Sequence, residues 1–500
     1  MVLPFCGRTY IIYLDYIKHN TKQRVILRAK QAEWRLMDVL INGERYIKQD
    51  AKPGYSVGIG ITTHNRNRLV ASTVAKIIEH TPNAKVVVVD DASDQPVAIE
   101  GVEVYRFRRN VGIARAKNKC LELLRDTEHI FLFDDDTYPT GPGWELPYIE
   151  SPEHHLMYLF EDWASGKPVG DDKVLYEDGN IVAHAHARGC MMYVDSLVLD
   201  TVGGMDVRYG KAMNEHLDWS NRIYNAGLTT FKYMDVPGSS RLIHSMDEHQ
   251  EVGSTISRLE RRMHKQNNEE LLQQSLTSTR YAPFGKNVVI ACYFAGVPDA
   301  QREGTRWETD LRPIQKLKQS VEYYGYEFVL IHNCFDLPNL VTISKSPYFE
   351  RWLKEWQYLR EHPEIENVFL VDATDVDMLN DPFAYIERGK LYIGDEPNQT
   401  LANPWMHKMH QEPVVNQYLR ENTDKPLLNC GVIGGDRKTV MELAQAIYRY
   451  GFGEHHDQTE MGIFNYLMYT QFDGRFEYGR HVTTLFKQFE RRSTAWFRHK

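Results

Sequence analysis

Apolar and polar positions divide the chain into stretches of different texture. From Arg8 to about Lys52, short β-favouring runs (Tyr10 to Tyr16, Arg24 to Leu27, Leu36 to Ile41) surround the turn pair Asn42-Gly43, which predicts a small β-rich module over residues 1–53. At Tyr55 the pattern changes. Val57 to Thr62, Lys85 to Val89 and Ile130 to Phe133 are runs of the kind that buried strands need, and the segments between them, Ala71 to His80 and Ile113 to Leu124, read as helices. Residues 254–286 read as a polar helix and linker ending in the breaker run Ala282-Pro283-Phe284-Gly285. From Asn287 the same texture restarts with Val288 to Tyr293, continues through Ser320 to Tyr324 and Phe328 to Ile331, and reaches Val368 to Val371. The pattern predicts an α/β protein with two mostly parallel, Rossmann-like sheets, one over residues 54–253 and one over 287–500.

Composition narrows the class. With 500 residues, 42% hydrophobic and 25% charged, the chain can build several cores and is far from disordered or coiled-coil composition. Its 59 Lys and Arg against 68 Asp and Glu leave a formal charge of −9, which argues against a broad nucleic-acid-binding surface. The six cysteines are scattered without a C-x-x-C pair, as in a reducing compartment. No signal peptide and no run of eighteen apolar residues is readable, so the expectation is a soluble cytoplasmic protein whose membrane contact is peripheral at most.

Both halves place acids just beyond a buried strand, where open α/β sheets bind ligands. In the first, Asp134, Asp135 and Asp136 follow Phe131-Leu132-Phe133. Alternation puts Asp134 and Asp136 on one side, a D-x-D pair able to clamp a hard divalent cation, and three adjacent carboxylates call for such a cation. With Ile61-Thr62-Thr63-His64-Asn65-Arg66, Val88-Val89-Asp90-Asp91-Ala92-Ser93 and Asn110-Val111-Gly112-Ile113-Ala114-Arg115-Ala116-Lys117-Asn118, residues 55–250 resemble a family-2-type inverting glycosyltransferase of GT-A fold. The resemblance implies that Asp90 and Asp91 receive the base and ribose of a sugar nucleotide and that Thr63 and Arg66 contact the nucleotide. It also implies that Asp134 and Asp136 hold Mn²⁺ or Mg²⁺, with His244 as a third ligand. Glu215, His216 and Asp218 match its acceptor-side segment, with His216 standing where the family usually has an Asp. Glu215 or His216 is favoured as general base over Asp218, which stands four residues before Arg222 and can form a helical ion pair.

In the second half, Asp375-Val376-Asp377 repeats the D-x-D after Val368 to Val371, and Asp372 adds a third carboxylate. Asn429-Cys430-Gly431-Val432 and His456-Asp457-Gln458 follow. Residues 287–485 are more loosely similar to glycogenin-like, family-8-type GT-A transferases. That similarity implies Asp375, Asp377 and His481 as metal ligands and Asn429 and Asp457 as contacts of the donor sugar. The resemblances together imply a tandem, bifunctional, metal-dependent transferase. It would move sugars from a nucleotide-sugar, a UDP-sugar being favoured, to a hydroxyl-bearing acceptor such as a glycan, glycoconjugate, protein or modified DNA. Two other readings remain. One is glycosylation of a hydroxymethylated DNA base or a virion or surface protein. The other is a non-catalytic glycan-binding scaffold.

Overall fold

The computed structural model describes residues 55–159, 172–253, 257–299, 304–343, 346–450, 460–485, 490 and 493–499, together with the strands between residues 2 and 48. Those strands pair locally and antiparallel, Val2–Phe5 with Arg8–Ile11, Leu14–Asp15 with Ile26–Leu27, and Met37–Ile41 with Glu44–Lys48. The expected turn at Asn42-Gly43 lies outside the described residues. The chain divides into two compact units, Met1–Phe284 and Gly285–Lys500. The segment expected as a linker is two helices, Arg258–Asn267 and Glu269–Ser275, that belong to the first unit.

The first unit is built on a six-stranded sheet. Val57–Thr63 lies at its centre, parallel to His129–Asp134 on one side and to Lys85–Asp90 on the other, with Glu103–Arg106 extending the parallel set. Met191–Asp195 and His155–Met157 complete the far edge antiparallel. Because successive side chains alternate, each strand feeds two cores. Ile59, Ile61, Phe131 and Phe133 pack on one face with Val70, Val74 and Ile77 of the helix Asn67–His80. Val87, Val89, Ile130 and Leu132 pack on the other with Ala114, Cys120 and Leu121 of the helix Ile113–Leu123. Each such fully buried apolar side chain contributes about 1.5–3 kcal/mol. The register then matters for function: Asp134 lies beside Thr62 and Asp90 beside Thr63, so both acid clusters end at the same edge.

The second unit repeats the plan with its own sheet. Lys286–Tyr293 is parallel to Glu327–His332 and Ile365–Asp372, while Pro426–Asp436 joins antiparallel, followed by Leu391–Thr400 and Phe476–Tyr478. Helices Pro347–Glu361, Arg437–Tyr450 and Met461–Thr470 cover one face, and Arg312–Tyr323, which takes in Ser320, covers the other. Asp372 lies beside Cys292, and Gly431 is one residue before the Val432 that pairs with Val371.

Candidate functional site

At the strand ends of the first unit the motif residues form two linked polar clusters. In one, Thr63 Oγ1 donates to Asp135 Oδ2 (2.6 Å), and Arg66 Nη1 donates to Asp135 Oδ1 (2.9 Å) and Asp136 Oδ2 (2.8 Å). In the other, Lys117, almost fully buried, sets its Nζ 2.9 Å from Asp134 Oδ1 and donates to the carbonyl of Gly189 at 2.6 Å. The three carboxylates are thus partly balanced by two built-in cations, which softens the expectation that only a bound ion could neutralise them. Asp134 is the member that stays part-exposed, at 36%, whereas Asp136 is held by Arg66. Burial pushes the Asp134 carboxyl up to about 6 against the pull of Lys117, with Asp136 and Asp135 adding to the rise.

Asp90 and Asp91, expected as nucleotide contacts, both have hydrogen-bond partners within the chain. Asp90 is fully buried, and its oxygens accept from the backbone N–H of Ser93 (2.8 Å) and Val97 (3.2 Å), with Arg106 Nη1 at 3.4 Å. It shapes the turn after its strand and presents no exposed oxygen to a nucleotide. Asp91 accepts from Val111 N (2.7 Å) and Gly112 N (2.9 Å), which ties the strand end to the start of the helix Ile113–Leu123. Gly112 has φ +92° and its missing Cβ would fall 2.3 Å from the carbonyl oxygen of Gly210, so only glycine fits there. Thr63 Oγ1 and Arg66 Nη1 are likewise engaged by the acid triad, while Arg66 Nη2 donates to the carbonyl of Gly253 (2.6 Å).

The acceptor-side segment opens the helix Glu215–Asn225. Glu215 Oε1 lies 3.1 Å from His216 Nδ1, while Oε2 is buried without a hydrogen-bond partner among the described residues. Burial would raise this carboxyl, but the hydrogen bond and charge of His216, with Lys117, outweigh it and hold Glu215 below its ordinary value. Lys117 therefore acts electrostatically on both Asp134 and Glu215. Asp218 has other work: its Oδ2 accepts from Arg222 Nε (2.8 Å), Tyr209 donates to Oδ1 (3.3 Å), and both ion-pair partners are buried. Asp218→Asn should consequently cost on the order of 3–5 kcal/mol in a urea melt, well above a surface pair, because it strands the Arg222 guanidinium. Unchanged stability with a large rate loss would instead make Asp218 the base.

His244 sits on the strand Ile243–Ser245 opposite Tyr138, with Nε2 3.0 Å from Glu251 Oε1 and its ring stacked on His249. The structure does not gather it with Asp134 and Asp136 as a ligand set. Among the described residues, the group of acids, histidines or cysteines close enough together to hold a metal ion is in the second unit: Asp372, Asp375 and His499, with one possible ligand atom from each lying within 4.8 Å of the others.

Two residues expected as ligands, Asp377 and His481, are not members of this group. Asp377, on the strand Val376–Met378, is buried and accepts from Lys316 Nζ (2.6 Å) and Arg498 Nε (3.0 Å), away from that group. His481 is half-exposed, 3.6 Å from Glu477 Oε2, and packs edge-on against Trp496. His499 takes the third position because Phe497–His499 pairs antiparallel with Val376–Met378, setting His499 opposite Val376. The donor set fits a divalent cation: two part-exposed carboxylates, one buried imidazole, and a cradle in which a Cβ on Gly431 would meet His499 Cε1 at 2.2 Å and Asp372 Oδ2 at 2.8 Å.

Behind this group, Arg351 donates to Asp372 Oδ1 (2.8 Å) and Cys430 O (3.0 Å) and pairs with Glu460 Oε1 (3.1 Å). Burial, opposed by Arg351, pushes Glu355 and Glu460 each up to about 7. Asn429 Oδ1 accepts from Gly431 N (2.7 Å) and its Nδ2 donates to Glu396 (3.0 Å). Asp457 lies outside the described residues. Lys117 was within reach of sequence reasoning, inside the Asn110–Asn118 motif, but Arg351 and His499 carry no local signal.

Residues 58–146 match the family described as Glycosyl transferase family 2, the stretch that supplies Thr63, Arg66, Asp90, Asp91, Lys117 and the Asp134–Asp136 cluster. The matched stretch lies within the first unit. No curated protein matches the chain. Among solved structures, it is similar to GalNAc-T7 with UDP, GalNAc and Mn²⁺, at 15% identity and TM-score 0.32 over 41% of this chain and 46% of that one. A second is a glycosyltransferase involved in the glycosylation of the major capsid of PBCV-1, at 14% identity and TM-score 0.26 over 43% of this chain and 93% of that one. The chain spans less than half the length of the first of these. No helix among the described residues is long and apolar enough to cross a membrane.

Proposed function

We propose that the chain is a metal-dependent glycosyltransferase acting on a nucleotide-sugar donor and a hydroxyl acceptor, with the first unit inverting and the second a transferase in its own right. The observation that carries this is the coincidence of the family match over residues 58–146 with the strand-end cluster, beside which Glu215 keeps a buried oxygen unused. In the first unit Asp134 is the acid open to a divalent ion, and Lys117 holds it ionised. Glu215, held ionised beside Lys117 and oriented by His216, takes the proton of the acceptor hydroxyl. In the second unit Asp372, Asp375 and His499 hold the ion. When bound, Mn²⁺ or Mg²⁺ supplies Lewis-acid stabilisation of the diphosphate leaving group.

The test is a thermal-shift series of UDP-, GDP-, CMP- and dTDP-sugars with Mn²⁺, where binding adds RT ln(1 + [L]/Kd) of stability. One nucleotide class, with UDP-sugars expected, should raise the melting temperature, and EDTA should abolish that rise and the accompanying donor hydrolysis. Full turnover in chelator would remove the metal from the reading, and no response to any nucleotide-sugar would remove the transferase.

A further inference from the structure

Met213 and Asn214, the two residues before the helix Glu215–Asn225, both lie in the left-handed region, at φ +78° and +75°. Asparagine tolerates that region better than most side chains, methionine does not, and such strain persists only where neighbours hold it in place. Here they do. Asn268 Nδ2 donates to the carbonyls of Tyr209 (3.0 Å), Ala212 (3.0 Å) and Met213 (2.8 Å), and Ile113 N donates to the carbonyl of Lys211 (3.0 Å). The loop is fixed from two sides, one of them the start of the helix that carries Lys117.

The ordinary role of an asparagine at this position does not account for Asn214. The residue before a helix favours asparagine because its side-chain oxygen accepts from a backbone N–H of the first turn. Asn214 makes no such bond. Its Nδ2 is buried, with 3% of the residue exposed, and has no hydrogen-bond partner among the described residues. Glycine would adopt the same φ without stranding a donor. The next side chain complements it: Glu215, 7% exposed, leaves Oε2 without a partner. One stranded donor and one stranded acceptor on consecutive residues suit a group that is both, and a hydroxyl is such a group.

Their surroundings place the two residues beside the strand-end cluster. Lys117, which reaches Asp134, acts on Glu215 as well. Gly189, whose carbonyl accepts from Lys117, lies so close to the next residue that a Cβ there would be 3.1 Å from His216 Cγ. We infer that Asn214 is an acceptor-binding residue, its Nδ2 donating to the oxygen of the hydroxyl whose proton passes to Glu215 Oε2. This rests on the transferase reading of the first unit. In the step, the hydroxyl O–H bond breaks and its proton goes to Glu215. A lone pair on the oxygen forms the bond to the anomeric carbon, and the diphosphate leaves with the electron pair of the bond it held. The other lone pair receives the Asn214 N–H, which orients the oxygen while the proton departs.

The experiment uses water as the acceptor and reads release of UDP from a UDP-sugar with Mn²⁺. The full chain carries Asp375→Ala, so that the ligand group of the second unit does not contribute. Asn214→Gly keeps the left-handed backbone and removes the donor, whereas Asn214→Asp keeps the shape and turns the donor into a second acceptor. Each should lower kcat for release by about threefold to tenfold, the worth of one hydrogen bond, with donor affinity unchanged. Asn214→Gly should melt no lower than the parent chain, because it relieves the strain and removes the stranded donor. Asn214→Asp sets a second carboxylate next to Glu215 and should move the acid limb of the rate profile upward, which Asn214→Gly should not. Parent-level release in both variants, or a lower melting temperature for Asn214→Gly, overturns the assignment and leaves Asn214 a structural residue. A parent chain that releases no UDP removes the transferase reading itself, and the assignment with it, a failure separate from the first two.

Discussion

Gly431→Ala should remove the divalent-metal affinity of the second unit while leaving its fold in place. The strand Pro426–Asp436 passes so close to the ligand group that an added Cβ would lie 2.2 Å from His499 Cε1, 2.6 Å from His499 Nε2 and 2.8 Å from Asp372 Oδ2. Contacts that short force the imidazole and the carboxylate apart. Gly431 has no positive φ, so the backbone itself accepts alanine and the penalty falls on the ligands. Overpacking of this kind typically costs about 1–3 kcal/mol, which a folded domain survives. Mn²⁺ binding, measured by calorimetry or electron paramagnetic resonance in an Asp134→Ala background that disables the first unit's candidate ligand, should fall by about 100-fold or more. Arg351→Lys, which loosens the support of Asp372 without removing a ligand, should cost about 10–100-fold. Wild-type Mn²⁺ affinity in Gly431→Ala would show that these three residues do not form the metal centre.

The same site shows what the sequence could and could not express. Acids after a buried strand were legible, because strand ends of parallel sheets are marked by an apolar run followed by polar residues. Which acids converge was not. Alternation along an extended segment pairs Asp375 with Asp377, but the chain turns at Ala373 and Thr374 before entering the strand Val376–Met378. That turn brings Asp372 and Asp375 together and sends Asp377 to Lys316 and Arg498. Asp377→Ala should therefore lower stability, on the order of 3 kcal/mol, rather than metal affinity.

His499 was invisible for a different reason. It is brought to Asp375 by strand pairing across more than a hundred residues, and no local pattern announces a partner at that distance. In the first unit the motifs bring their acids to one edge of the sheet, where most of these side chains already have partners within the chain. Asp90, Asp91, Thr63 and Arg66 carry out internal tasks, closing turns and balancing neighbouring charge. A sequence shows that a strand end is acidic; it does not show which carboxylates are already satisfied by the backbone.

Lys117→Met should lower the rate of the transfer proposed for the first unit and move the acid limb of its pH profile upward. Lys117 is buried between Asp134 and the Gly189 carbonyl and acts on Glu215 as well. Asp134 has its carboxyl raised to about 6, so it is ionised above that pH and protonated below it. Activity that needs the Asp134 carboxylate should accordingly fall as pH drops through about 6. Removing the ammonium withdraws the main influence that favours the charged form, so the limb moves towards neutrality and kcat at pH 7 declines. Lys117→Arg keeps the charge and should hold the limb near its wild-type position, which separates electrostatics from a folding defect. Glu215→Gln should lower kcat by about 10²–10⁴-fold with donor affinity nearly unchanged, the behaviour of a base that acts in the transition state. Because His216 and Lys117 already hold Glu215 below its ordinary value, its loss should reduce the plateau rather than shift the limb. A Lys117→Met enzyme whose acid limb stays in place would show that Asp134 does not govern the profile, and a Glu215→Gln enzyme near wild-type rate would leave His216 as the residue to take the acceptor proton.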